Sequence, residues 1–275
     1  MTITEWIHEA ASDLKSADIP SAQLDAELIL AHTLRQPRTY LHAHGEQQLD
    51  DRQEDIAAAR LQLRLDRTPV AYIIGHKEFY GRRFITTPAA LIPRPESEAM
   101  IEQLRSIMPT NLPLVKESKR LADIGTGTGC LGITAKLEWP ELDVTLTDIS
   151  QHALGLAKQN AELLEADVHF HKGDLLHGYT MPLDIILANL PYVDRAWDVS
   201  PEVHAEPELA LYADNSGLTF INQLIAQAAH LLQPSGTLLL ESDERQHAQI
   251  IQEASRQGFT HQTTDGLAQL FTKKS

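Results

Sequence analysis

Two short stretches and two isolated acids carry residue types suited to holding a small charged cofactor and a planar amide. Gly125-Thr126-Gly127-Thr128-Gly129 follows the apolar run Leu121-Ala122-Asp123-Ile124 and precedes a helical pattern from about Cys130 to Glu138. A glycine-rich turn between a strand and a helix lets backbone approach a ligand closely and aims amide donors at it. The spacing is Gly-x-Gly-x-Gly, not the Gly-x-Gly-x-x-Gly of dinucleotide binders, and no Lys-Ser/Thr pair is present for a nucleoside triphosphate. Asp123, just before the turn, repels a phosphate and suits a cation such as an amino group. Asp148, 19 residues beyond Gly129 at the end of the next apolar run, can accept hydrogen bonds from both hydroxyls of a ribose. Asp174, after a third run, can accept from the exocyclic amine of adenine, with Leu175 as an apolar wall for the ring. Each acid alone also reads as a helix cap, but matching groups at successive strand ends describe a site for S-adenosylmethionine.

The other stretch is Asn189-Leu190-Pro191-Tyr192, at the end of the apolar run Leu183 to Ala188. Taken alone it reads as a strand-to-loop turn, since Asn and Pro are common there. Beside a methyl donor it acquires a mechanism. The Asn189 side-chain oxygen and the Leu190 carbonyl can each accept one hydrogen of a substrate NH2, while Tyr192 packs on its flat face. That holds the nitrogen in line with the methyl group, at about 3 to 3.5 Å in a near-attack geometry.

These residues need a scaffold that presents strand ends together. From Thr4 to about Asp66 the pattern is helical: Trp6, Ala10, Leu14 and Ala17, then a helix behind a cap at Ser21, then one from Asp50/Asp51 through Ile56, Ala59, Leu61 and Leu65. Phe79-Tyr80-Gly81-Arg82-Arg83-Phe84 reads as a hairpin turning near Gly81. Pro93-Arg94-Pro95-Glu96 holds the chain extended and releases it into a helix to about Met108, followed by a polar loop. Strand and helix patterns then alternate: strands at Leu121–Ile124, Val144–Thr147, Val168–His171, Leu183–Ala188 and Thr237–Glu241, with helices over Ala153–Leu164, Ser216–Leu232 and Glu244–Gln257. Two closing strands, Thr260–Thr264 and Leu267–Thr272, flank Asp265-Gly266. This is the pattern of an α/β fold with a mainly parallel sheet covered by helices on both faces.

With 275 residues, 43% of them hydrophobic, the chain can bury a large core and a small satellite domain. The boundaries read as a helical domain over residues 1–68, a hairpin and extended linker over 69–95, and the α/β domain over 96–275. The single cysteine, Cys130, excludes an internal disulfide and any zinc site with two or more Cys ligands. The pairs His42/His44 and His169/His171 read as solvent-facing strand alternation, so no metal is assigned. A net charge of −15 argues against direct nucleic-acid binding, which needs Lys and Arg to displace counterions. No apolar run reaches bilayer length and the first residues lack signal-peptide character, so the expected location is cytoplasmic, without a membrane anchor. A monomer is expected.

Over nearly its whole length the sequence resembles the HemK/PrmC family of protein-(glutamine-N5) methyltransferases. The resemblance includes the helical front domain, Arg67 to Gly75, Lys77-Glu78-Phe79-Tyr80-Gly81, Leu91 to Glu98, Asp123 to Gly129, and Glu206-Pro207 with Ala210-Leu211. It implies a Rossmann-like, seven-stranded S-adenosylmethionine-dependent methyltransferase domain behind an N-terminal helical docking domain and a β-hairpin linker. The implied substrate is the glutamine of the Gly-Gly-Gln loop in class 1 peptide-chain release factors, with S-adenosylhomocysteine as the other product. Pro93-Arg94-Pro95-Glu96 separates this family from the ribosomal-protein glutamine methyltransferases, and Arg94, Glu96 and Glu206 become candidates for a lid or substrate contact. Methylation of another protein glutamine or of a nucleobase amine, and non-catalytic binding of the cofactor, are the rival readings. Leu190 stands where the family has proline, Ala213 to Gly217 replaces a glycine-rich stretch, and the family's C-terminal arginine is absent from Asp265 to Ser275.

Overall fold

A computed structural model of the chain describes residues 1–108 and 118–275. The expected polar loop after Met108 falls mostly on residues 109–117, outside the described residues. The chain forms two compact units, Met1–His76 with Val199–Ala205, and Lys77–Asp198 with Glu206–Ser275.

The first unit is helical. α1 (Ile3–Ser16) starts at a capping box in which Thr2 accepts from the Glu5 amide and Glu5 returns a bond to the Thr2 amide. It buries Ile3, Trp6, Ala10 and Leu14. α2 (Ala22–Leu34) follows Ser21, whose hydroxyl donates to Asp25 Oδ2 at 2.7 Å and makes no cap bond. The expected cap is therefore present in position but not in chemistry. α3 (Arg38–Ala43) has too few turns to show periodicity, and it makes His42 helical and His44 its C-cap instead of strand residues. α4 (Asp51–Leu65) begins at the expected place, with Asp50 and Gln53 forming a second capping box. Its buried positions are Ala57 and Arg64, whereas Ile56 is exposed. The apolar spacing marks the helix and, through Leu61 and Leu65, part of its inner face, but it misses that an ion pair is buried on that side. Arg64 Nε donates to Asp25 Oδ2 at 2.7 Å, and Arg64 Nη2 to Glu202 Oε1 at 3.1 Å. Glu202, also bonded by Arg67, binds the 199–205 segment into this unit. α5 (Val70–Ile74) ends at Gly75 and lies inside the stretch expected to be a linker.

β1 (His76–Phe79), which belongs to the second unit from Lys77 on, and β2 (Arg82–Ile85) form the expected hairpin. Tyr80 and Gly81 both have positive φ, 51° and 70°, the signature of a type I′ turn. After a 3₁₀ turn at Pro95–Ser97 come α6 (Glu98–Ile107), β3 (Arg120–Ile124), α7 (Cys130–Glu138), β4 (Asp143–Asp148), α8 (Gln151–Leu163), β5 (His169–Lys172) and β6 (Leu183–Ala188). α9 (Thr219–Leu231), β7 (Leu232–Glu241), α10 (His247–Arg256), β8 (Phe259–Asp265) and β9 (Ala268–Lys273) complete it. α9 begins three residues later than expected because Asn215, Ser216 and Gly217 all have positive φ, which a right-handed helix cannot include.

The sheet order is β5-β4-β3-β6-β7-β9-β8, parallel except where β9 runs antiparallel to β7 and β8. Alternate residues feed opposite faces. Leu121, Leu146, Ile185, Leu187 and Leu239 pack with α6, α7 and α8, while Ala122, Ile124, Ile186, Leu238 and Leu240 pack with α9 and α10. Each fully buried Leu or Ile contributes roughly 1.5–3 kcal/mol of transfer free energy. Chain order reverses between β3 and β6, and a crevice opens there outside the carboxyl ends of the strands. Among the described residues no helix is long and apolar enough to cross a membrane.

Candidate active site

A cleft open to solvent lies at this reversal. The glycine turn after β3 forms its floor. Gly125, Gly127 and Gly129 have φ of 69°, 57° and 84°, a conformation in which a side chain would be strained. The sequence therefore folds the turn tightly enough for backbone to face the cleft. Thr126 and Thr128 are buried within it. The Thr126 amide donates to the Thr147 carbonyl at 2.9 Å, and the Thr128 carbonyl accepts from Asn160 at 2.9 Å. Asn160 also makes both backbone bonds to Ile85, at 2.7 and 3.1 Å, so it ties β2 to the turn.

Asp123 is bonded to the turn itself. It lies on the sheet face covered by α7, only 1% exposed, with Oδ2 accepting from the Thr126 hydroxyl at 2.6 Å and the Gly132 amide at 3.0 Å. It does not line the cleft. Side-chain alternation along β3 accounts for this: the acid secures the turn to the first turn of α7. Burial raises its pKa from 3.8 to about 6, against the two hydrogen bonds that lower it.

Asp148, at the end of β4, does line the cleft. Its Oδ2 accepts from the Gly127 amide at 3.0 Å and its Oδ1 from the Ser150 amide at 2.8 Å. Burial raises its pKa, opposed by these backbone donors. Both oxygens are thereby aimed, and each keeps a lone pair for a ligand hydroxyl. Ile149 beside it is half exposed and adds an apolar surface. Asp174 is exposed at the rim, and a turn rather than a helix follows it, so a helix-cap role is gone. Leu175 is buried against the cleft with φ of 52°, a rare backbone state for leucine.

Asn189, Leu190 and Pro191 follow β6 and line the same cleft. Asn189 Nδ2 donates to Ser97 Oγ at 3.1 Å and to Glu241 Oε1 at 2.8 Å, so both amide hydrogens are committed and Oδ1 is the acceptor that remains. Leu190 is buried, with Cδ2 so near Gly125 that a Cβ there would lie 2.9 Å away. The apolar contact of the Leu side chain thus fastens the tetrapeptide to the glycine turn. Tyr192 is half-buried and does not line the cleft. Its hydroxyl points to Glu241 Oε1 at 3.4 Å, and burial, then the Glu241 charge, push the phenol upward.

Of the Pro-framed residues, Arg94 lines the cleft and donates to Glu206 Oε1 at 2.5 Å. Glu206 is buried and also accepts from the Ile92 amide at 3.0 Å, so it latches this segment instead of facing a ligand. Glu96 is exposed and outside the cleft lining. Sequence reasoning missed Ser97, Glu241 and Gln246, the buried groups behind the tetrapeptide. Glu241 closes a strand, so the strand-end rule that singled out Asp148 applies to it as well.

Residues 5–75 match the family described as PrmC N-terminal domain, and residues 97–206 match the methyltransferase small domain. A release factor glutamine methyltransferase of Deinococcus radiodurans is 38% identical over 252 residues, covering 89% of this chain and 87% of that protein. The Escherichia coli protein of the same description is 33% identical over 263 residues, 94% of this chain and 90% of that one. In fold, the chain is similar to a methyltransferase from Pyrococcus furiosus, with a TM-score of 0.54 at 17% identity over 79% of this chain and 98% of the other.

Proposed function

From the premise that the chain belongs to the release factor glutamine methyltransferase family, we propose that it methylates the side-chain amide nitrogen of the glutamine in the Gly-Gly-Gln loop of class 1 release factors. The observation that carries this is the committed Asn189 amide, which leaves Oδ1 as a fixed acceptor at the cleft.

The cleft fits S-adenosylmethionine. Positive-φ glycines bring backbone close, Asp148 offers aimed acceptors for a ribose, and Ile149 with Leu175 offers apolar surface for a base. Asp174 at the rim is the acceptor proposed for the adenine amine. The bound cofactor supplies an electrophilic methyl group on a sulfonium.

The chain's own residues orient the nucleophile. An amide nitrogen is weak, because its lone pair is shared with the carbonyl. Asn189 Oδ1 and the Leu190 carbonyl accept its two hydrogens, and positive charge developing on the nitrogen strengthens both bonds, which favours the transition state over the ground state. Only the carbonyl of Leu190 takes part, so leucine serves where the family has proline. Arg94, held by Glu206, is placed to order the approaching peptide, and Tyr192 braces the tetrapeptide from behind. The helical unit is proposed to dock the release factor.

The experiment is transfer of labelled methyl from S-adenosylmethionine to purified release factor, with a variant carrying Gln→Ala in its Gly-Gly-Gln loop as control. Label on the wild-type factor alone is expected. Equal label on both, or label only on naked RNA or DNA, refutes the proposal.

A further inference from the structure

β6 and β7 are parallel neighbours with Ala188 opposite Leu240, so the next residues, Asn189 and Glu241, come side by side at the strand ends. Glu241 is 1% exposed. Its Oε1 accepts from Asn189 Nδ2 and the Tyr192 hydroxyl, and the Ser97 hydroxyl also reaches the carboxyl. Its Oε2 has no hydrogen-bond partner among the described residues. A buried carboxyl with an unmet oxygen is costly, and an apolar residue of similar size would fill the same space at less cost. The structure thus carries an expense that packing does not explain.

The two ends of an asparagine amide have nearly the same shape, so packing alone does not decide which end faces a ligand. In the opposite orientation Asn189 would set Oδ1 against the Glu241 carboxyl and present NH2 to the NH2 of the substrate, donor against donor. A carboxylate accepts and does not donate, so Glu241 at 2.8 Å disfavours that state, while the Ser97 hydroxyl at 3.1 Å is compatible with the donor it meets.

We propose that Glu241, assisted by Ser97, is the positioning residue of this reaction, locking the Asn189 amide so that its oxygen accepts from the nitrogen being methylated. The inference rests on the proposed glutamine methylation and assigns Glu241 no contact with substrate. Glu241 also polarises the Asn189 amide, concentrating negative charge on Oδ1 where positive charge develops on the substrate nitrogen. Because Glu241 does not line the cleft, its loss leaves the cofactor contacts in place.

The test compares methyl transfer to release factor by wild type, Glu241→Ala, Asn189→Asp and the double variant Asn189→Asp/Glu241→Gln, with cofactor affinity measured by titration calorimetry. Glu241→Ala is expected to lower kcat by about 10²-fold with KM for release factor and cofactor affinity little changed. Asn189→Asp alone sets two carboxylates against each other and is expected to be nearly inactive. In the double variant the amide introduced at position 241 donates to one oxygen of the carboxylate introduced at position 189 and frees the other for the substrate. Activity then rises about tenfold or more over Asn189→Asp, a coupling that independent sites do not show. If Glu241→Ala fails to fold, the comparison of Asn189→Asp with the double variant decides alone. An active wild type with a Glu241→Ala kcat near its own, or a double variant no better than Asn189→Asp, overturns this inference alone. A wild type that transfers no label overturns the proposed function and this inference with it.

Discussion

Gly217 lies against the main-chain carbonyl of Tyr192 so closely that a Cβ would stand 1.9 Å from its oxygen. The same carbonyl accepts from Gln246 Nε2 at 2.8 Å, and that nitrogen also donates to the Ser216 carbonyl at 2.7 Å. The turn before α9 and the tetrapeptide after β6 are therefore joined through one buried glutamine. The one glycine of the stretch Ala213 to Gly217 stands at the point of contact. Gly217→Ala must displace Tyr192 or the turn, at φ of 80°. It is expected to lower methyl transfer by about 10²-fold and stability by about 1–3 kcal/mol. Activity equal to wild type would show that the contact does not position the tetrapeptide.

Asn189→Ala removes the fixed acceptor and leaves Glu241 and Ser97 without their donor. Turnover on release factor is expected to fall by about 10²–10³-fold, the usual cost of deleting a group that meets charge in the transition state. Cofactor binding, measured by calorimetry, should stay close to wild type. Unchanged turnover would remove Asn189 from the reaction.

Asp148→Ala acts on the cofactor instead. Its carboxylate is held by the Gly127 and Ser150 amides, and hydrogen bonds to a charged group contribute about 1.5–3 kcal/mol. Affinity for S-adenosylmethionine should weaken by about 10- to 100-fold, while KM for release factor at saturating cofactor changes little. A cofactor Kd equal to wild type would leave Asp148 as a purely structural acid.

Asp123 confers a pH dependence on stability. Its pKa, about 6 in the fold against 3.8 as the ordinary value, means the folded chain holds this proton more tightly than the unfolded one. The stabilisation is fully present below pH 3.8 and is lost as pH rises through about 6. Asp123→Asn is expected to remove this dependence, so that wild type loses about 3 kcal/mol relative to the variant as pH rises from about 4 to beyond about 6. Denaturant melts at each pH check it, and parallel curves for the two proteins would contradict the assignment.

Asp25 and Arg64 are 2% and 4% exposed inside the helical unit. Asp25→Ala leaves a buried guanidinium short of a partner and should destabilise that unit by about 3–5 kcal/mol. Hydrogen exchange resolved by residue should show the loss in α1, α2 and α4, with the sheet retaining its protection. Uniform loss throughout the chain would instead mean that the two units unfold together.

By itself the sequence determined the order of the strands and of the longer helices, the glycine turn, and the acids and amide near the ends of successive strands. These are local properties: apolar period, glycine at positive φ and residues placed at a strand terminus act over a few positions. It did not determine which side of each element those residues serve. Asp123 and Asp148 both sit beside the cofactor turn in the sequence reading, yet only Asp148 reaches the cleft, because alternation along β3 sends Asp123 under α7. In α4 the apolar spacing located the helix while the buried position went to Arg64, whose partners Asp25 and Glu202 lie 39 and 138 residues away in the chain. Glu241 ends a strand as Asp148 does, but nothing in the sequence pairs it with Asn189. Only the parallel register of β6 with β7 put it beside Asn189, 52 residues earlier, and that through-space neighbour decides which way the amide points.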